Sequence, residues 1–338
     1  MIYINILTKF RKCDIIYATN ADGLKRESER VMRKIFSALL ALVLLSYTVG
    51  ALSSCSTSYC LLYRLNDDYE TLSVVGVQNC IDTKIIIPSK YKGKSVTKVG
   101  DEAFESCTYL KTIIIPDSVT NIGYSAFWDC TGLTSITIPN SVTSIRECAF
   151  SHCTSLTSIV IPDSVTRLDQ SAFAYCTSLT NVTMSNSLTS ISYDMFKGCT
   201  NLTSVTLPDS LTSIDDGVFE NCSSLANITL PNSINDIGYE AFKGCSSLTS
   251  IAIPHGITRI SDRVFEKCSN LTSVTLPESI KSIGHAMFRD CTSLTSITFE
   301  GTVDQWNAIT LNEYWNHNVP ATEVICSNGT VALELCIE

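Results

Sequence analysis

The sequence predicts a repeat solenoid, rich in β-structure and with short helical turns, closed by a cap at each end. Two observations carry this. The stretch Leu133-Thr134-Ser135-Ile136-Thr137-Ile138-Pro139 returns, lightly edited, every 23 residues, for instance at Leu156, Leu202, Leu248 and Leu271. Nine cysteines keep the same spacing of 23, from Cys107 through Cys199 to Cys291. A fixed period between about 20 and 50 residues means stacked units, none of which can bury its apolar face alone.

Within one unit the apolar columns are Leu133, Ile136, Ile138, Val142, Ile145, Ala149, Phe150 and Cys153. Ile136 and Ile138 alternate with Ser135 and Thr137, so a strand runs here with one face inward. Pro139 ends it, having no N–H for a ladder. Val142 and Ile145 form a second, shorter extended piece. The run from Ala149-Phe150 to Cys153 has room for no more than a helical or 3₁₀ turn. The cysteine column reads as buried free thiols, since a small apolar residue is all an interior ladder needs. Cys55, Cys60, Cys80, Cys148, Cys326 and Cys336 lie off the column and are the better disulfide candidates.

Taken in order, residues 1–31 match neither an export signal nor the repeat and read as a non-native upstream extension. Met32-Arg33-Lys34 followed by the apolar run from Ile35 to Leu45 has the pattern of a signal peptide over residues 32–54. Leu52-Ser53-Ser54-Cys55 resembles a lipobox, so either Cys55 carries lipid or the protein is cleaved nearby and secreted. Residues 55–93 read as an N-terminal cap with the first strand, Ile85-Ile86-Ile87-Pro88. Two strands are expected there around a turn at Asn66-Asp67-Asp68, followed by an exposed loop with Lys90, Lys92 and Lys94. The solenoid occupies residues 94–300. Residues 301–338 are a second cap, in which Thr302 and Gln305 have capping-box spacing for a helix through Trp306 and Ile309.

The motif Leu-x-x-Ile-x-Ile-Pro-x-Ser-Val-x-x-Ile, continued by Ala-Phe-x-x-Cys, resembles the BspA-like leucine-rich repeats of bacterial and some protist surface proteins. The segment Gln305-Trp306-Asn307-Ala308-Ile309 is similar to that family's C-terminal end. The departures are small: Ser185 stands for Pro, and Met195 and Met287 for Ala. The resemblance implies a right-handed leucine-rich-repeat solenoid at the cell surface, tied to adhesion or to binding of host proteins.

Charge and motifs narrow the function. Residues 1–54 hold 8 Lys/Arg against 4 Asp/Glu, and the remainder 16 against 29, so the body is acidic. An acidic body without a basic cluster argues against nucleic acid. His152, His255, His285 and His317 fall at unrelated registers and read as surface histidines. Neither His-Glu-x-x-His nor Gly-x-Ser-x-Gly occurs, so no enzyme, metal or cofactor is expected. What remains is surface. One outward column of the strand face holds Ser135, Ser158, Asn181, Ser204, Asn227, Ser250 and Ser273. Its neighbour holds Thr137, Thr183, Thr206, Thr229 and Thr275. This neutral, hydroxyl-rich sheet is the candidate ligand face for a protein, such as a host or matrix protein, or for a glycan. A membrane is met only through a lipid anchor. An alternative role is an assembly module of the cell envelope. On the turn side Lys197, Glu220 and Lys243 read as solvated positions where substitution is silent.

Overall fold

A computed structural model describes residues 60–78 and 81–333. The signal segment and Cys55 lie outside them, as do the proposed upstream extension, Cys80 and Cys336. The described residues form a β-solenoid of about 11 turns with almost no helix.

Each regular turn places three stretches of backbone against the turns before and after it. The first is the repeat strand. Ser158–Val160, Asn181–Thr183 and Ser204–Thr206 pair in parallel, each residue facing the one 23 positions on. The second is the short piece after the proline, as in Ser190–Ile191, Ser213–Ile214 and Asp236–Ile237. The third is not helix but a string of hydrogen-bonded turns. Ala149, Ser151 and Cys153 donate their N–H groups three residues back, at 3.1–3.2 Å. Cys148, Phe150 and His152 donate to the carbonyls of Gln170, Ala172 and Ala174 in the next turn, at 2.8–3.1 Å. This alternation sends every second N–H along the solenoid axis. It requires left-handed backbone at two positions per turn, here Cys148 (φ 56°) and His152 (φ 62°). Gly198, Gly217 and Gly244 occupy such positions, where glycine has no Cβ penalty.

The ladder of repeat strands is interrupted twice: Ser135–Ile136 and Ser158–Val160 are not paired with each other, and the turn between Ser204–Thr206 and Ser250–Ala252 contributes no strand. Asn227 and Thr229, expected on a strand, lie in irregular backbone, although both side chains are exposed. Ser185, where other turns have proline, is buried and donates its hydroxyl to the carbonyl of Val165 at 2.9 Å.

The interior is a stack of identical columns. Nine phenylalanines, Phe104 to Phe288, are fully buried. Adjacent rings lie 5.1–6.0 Å apart between centroids and close to parallel. That is the range in which offset stacking is favourable. The cysteine column does more than fill space. Each Sγ from Cys130 to Cys291 donates to the Phe carbonyl 26 residues earlier, as Cys222 does to Phe196 at 3.2 Å. That carbonyl also accepts the N–H of Cys199 at 3.0 Å. Cysteine therefore satisfies the second lone pair of a buried acceptor while staying small and largely apolar.

The ends depart from the repeat. Cys60–Leu65 and Leu72–Gln78 pair antiparallel around the expected turn, where Asp68 accepts the N–H groups of Glu70 and Thr71 at 2.8 Å. Leu72–Gln78 then joins Lys94–Val99 in parallel and so extends the second strand stack, not the first. The segment expected as a loop is a hairpin: Lys90–Tyr91 pairs with the start of Lys94–Val99, and left-handed Lys92 and Gly93 form the tip. Tyr91 stacks on Tyr63 at 4.0 Å. At the other end the helix Val303–Asn307 opens with the full capping box between Thr302 and Gln305, and stops short of Ile309. The Phe ladder ends against Trp315, 6.4 Å from Phe288, and Trp315 in turn packs on Trp306 at 5.9 Å.

Two expectations about cysteine are corrected. Cys107, taken as part of the free-thiol column, is disulfide-bonded. Cys148 and Cys326, taken as disulfide candidates, form no disulfide.

Candidate binding face

The repeat strand fixes the geometry of the face. Ile159, Val182 and Val205 point into the core, so Ser158, Asn181, Ser204, Thr183 and Thr206 point out and are exposed. Ser135, Thr137, Asn227, Thr229 and Ser250 are exposed too, whereas Ser273 and Thr275 are half-buried. The parallel register brings equivalent residues of neighbouring turns side by side, so the two outward columns form one surface.

The hydroxyls of the repeat divide into two groups. Those at the edges of the strands are committed to backbone. Thr134, Thr180, Thr203 and Thr272 donate to the carbonyl of the residue 23 positions earlier, at 2.9–3.2 Å. Ser141, Ser210 and Ser279 donate to the carbonyl 22 positions earlier, each at 2.6 Å. On the face itself the pattern stops. Of the face positions named above, only Asn181 and Ser204 make a side-chain hydrogen bond among the described residues. Ser204 donates to Asn181 Oδ1 at 2.8 Å, and Asn181 donates to Thr180 Oγ1 at 3.1 Å. The other hydroxyls and amides of the face are open to water or to a ligand.

The turn side is organised by charge and by rings, which the sequence reading missed. Lys197 meets Glu220 at 2.8 Å and Asp194 at 3.5 Å. Lys243 bonds Glu240 and lies 3.7 Å from Glu266, and Arg263 reaches both of those carboxylates at 3.4 and 3.8 Å. Burial alone would lower the Lys197 ammonium, but the hydrogen bond to Glu220 and the charges of Asp194 and Glu220 outweigh it and hold the pKa up. Lys197, Glu220 and Lys243 are thus parts of an ion ladder and not silent surface. The signal was alternation of sign down one column. Further toward the N-terminus, His152 stacks on Tyr175 at 4.7 Å and tilts against Trp128 at 5.7 Å. Burial lowers the His152 pKa, against the opposing charge of Asp129. His285 packs edge-on against Tyr314, and His255 lies 3.4 Å from Glu300. His317 packs edge-on against the same Tyr314, and no group of three metal-ligating side chains converges among the described residues.

The thiol column has no nucleophilic character. Burial pushes Cys130, Cys176 and Cys291 up to about 12, with the backbone hydrogen bond of each only partly opposing it. A thiol attacks as its thiolate, and burial disfavours that form in this column.

Stacked 23-residue turns with a repeat strand, a proline stop and a buried Phe–Cys pair define a leucine-rich-repeat solenoid. A model of the BspA type leucine rich repeat region matches residues 77–203 and 189–314, and the chain belongs to that family. Among solved structures it is similar to a leucine rich cell surface protein from Faecalibacterium prausnitzii, at 27% identity over 77% of this chain and 98% of that one, with a TM-score of 0.44. It is also similar to a leucine-rich repeat protein from Bacteroides ovatus, at 23% identity over 75% and 98%, TM-score 0.37. The pneumococcal vaccine antigen PcpA matches at 15% identity over 82% and 99%, TM-score 0.39. No curated protein sequence matches the chain. Among the described residues no helix is long and apolar enough to cross a membrane.

Proposed function

We propose that the chain is an exported, non-enzymatic binding scaffold, adhesin-like, that holds a protein or glycan ligand on its Ser/Thr-rich strand face. The observation that supports this is the split use of hydroxyls. Those beside the strands are consumed by backbone carbonyls, whereas those on the face, apart from Ser204 with its bond to Asn181, have no protein partner to lose when a ligand arrives, so binding there carries little internal cost. Membership of the BspA type family supports a place at the cell surface. The basic-then-apolar pattern of residues 32–54 supports export, with lipid on Cys55 as the anchor or cleavage nearby and free release. Mass spectrometry of the exported protein tests this; a mature form that retains Asp14 to Arg30 would refute it.

A second reading is an assembly module of the cell envelope that works through its ends. It is favoured by the strand Gly329–Ala332, which has one strand neighbour, Glu323–Cys326, among the described residues. One experiment separates the two. Replacing Ser204, Thr206, Asn227 and Thr229 with Glu places unpaired charge in a neutral surface, which is costly once desolvated. Exposed Lys267 and Lys281, each changed to Glu, are the controls in place of the ion ladder. The face variant is expected to lose adhesion to cells or matrix while its circular dichroism is unchanged. Full adhesion would move the site to the ends or the turn side and favour the assembly module.

A further inference from the structure

The strand face changes character along its length. At the N-terminal end the outward column holds Ile86, Ile114 and Val160, exposed by 48%, 47% and 60%. Later turns place Thr183, Thr206, Thr229 and Thr275 in the same column. Ile86 and Ile114 are direct register partners, and Val160 follows two turns after Ile114. With turns about 4.8 Å apart, the three side chains fall within about 15 Å of one another. The fold does not require them, because threonine serves in the same position elsewhere.

Two lysines stand beside this patch. Lys84 lies two residues before Ile86 on the same outward face and pairs in register with Thr112. Lys111 directly precedes Thr112. Both are exposed, and neither makes an ion pair among the described residues. Mid-solenoid Lys197 and Lys243, in contrast, are neutralised by Glu220, Glu240 and Glu266. The outward columns of the first four repeat strands carry no carboxylate and no aromatic ring: they read Lys84, Ile86, Thr112, Ile114, then Ser135, Thr137, Ser158, Val160. A cationic, aliphatic corner therefore sits on a body whose net charge is strongly negative.

We propose that this corner docks an extended acidic segment of a partner protein, with apolar side chains of the segment on Ile114 and Val160 and its carboxylates at Lys84 and Lys111. The inference rests on the strand face being the binding face, and it names what that face takes. An anionic polysaccharide would use the lysines but has no use for three aliphatic side chains, and the outward columns of these strands offer no ring for a sugar to stack on. A second copy meeting the corner face to face would set lysine against lysine. Opposite charge would speed encounter and make binding fall with salt.

The test uses the full chain and a fluorescent peptide of alternating Glu and Val, with a Lys–Val peptide and heparin as comparison probes, read by anisotropy. The wild type is expected to bind the Glu–Val peptide in preference to both others, more weakly as salt is raised. Lys84→Glu with Lys111→Glu should weaken it about tenfold or more, and remove most of the salt dependence. Ile114→Thr with Val160→Thr, which copies the later turns and so keeps the fold, should weaken it about tenfold with the salt dependence intact. Unchanged affinity in either variant, absence of binding by the wild type, or preference for heparin would overturn the proposal. Adhesion of the same variants separates the two levels. If the mid-face glutamate variant loses adhesion while both corner variants keep it, the face reading stands and the corner is wrong. If all variants adhere fully, both are wrong.

Discussion

Phe196→Ala tests the interior at its most repetitive point. The ring is fully buried between Phe173 at 6.0 Å and Phe219 at 5.7 Å. Truncating a buried Phe costs about 3–5 kcal/mol, depending on how far the site collapses. Collapse is hindered here because the backbone on both sides is pinned between turns. Phe173 N–H bonds the Met195 carbonyl at 3.1 Å, and Phe196 N–H bonds that of Val218 at 2.9 Å. The expected loss is therefore toward the upper end, about 4–5 kcal/mol, and it includes two ring contacts of about 0.5–1.5 kcal/mol each. Phe104 has one stacked neighbour, Phe127 at 5.2 Å, so Phe104→Ala should cost about 1 kcal/mol less. Solenoid stability is close to a sum of nearest-neighbour terms, so the mid-array change weakens two interfaces and should broaden the transition. Urea unfolding followed by far-ultraviolet circular dichroism measures both effects. A loss under about 1 kcal/mol for Phe196→Ala would mean that the column does not hold the turns together.

Other outcomes follow from single contacts. Iodoacetamide should label the half-exposed thiol of Cys148 first and leave Cys176, held up to about 12, unmodified in the folded protein even at pH 9–10; rapid labelling of Cys176 under native conditions, located by peptide mapping, would show the column to be open. Gly238→Ala should cost about 1–3 kcal/mol by chemical unfolding, because a Cβ there would meet the Asp216 nitrogen and Oδ1 at 2.5 Å; a neutral result would mean that the turn shifts freely.

The sequence made the strands legible because their signals are local: alternation around Ile136 and Ile138, a proline stop at Pro139, a capping box at Thr302. Position of a glycine was not legible in that way. Gly123, Gly238 and Gly284 have no turn signature of their own. Each follows an aspartate 22 residues earlier, Asp101, Asp216 and Asp262, whose carboxylate accepts the N–H of the residue after the glycine, at 2.7–2.9 Å. The cause lies in the previous turn, so it shows only when columns are read down the stack. The same holds for Lys197 and Glu220, which look like solvated loop charges along the chain and become partners across turns. Cys107 fails for the opposite reason. It fits its column by spacing, yet it sits at the end of the stack. Its Phe104 carbonyl has a donor in Cys130, but no earlier repeat supplies a Phe carbonyl for its own sulfur.

This difference between columns bears on where function can be found in such a chain. A column that serves the fold is held to a narrow choice by its neighbours above and below: phenylalanine for a 5–6 Å stack, cysteine for a buried carbonyl, threonine for the backbone oxygen one turn back. An outward column of the strand face has no such neighbour requirement, and the chain places Ile, Thr, Val and Ala in one and the same position. Variation there is therefore not noise against a structural consensus. The interior fixes a regular grid, and the residues that the grid leaves unconstrained are the ones a ligand can select. On that argument the exposed isoleucines and unpaired lysines of the first turns carry more functional information than the hydroxyl columns that first draw attention, because nothing in the folding of the repeat accounts for them.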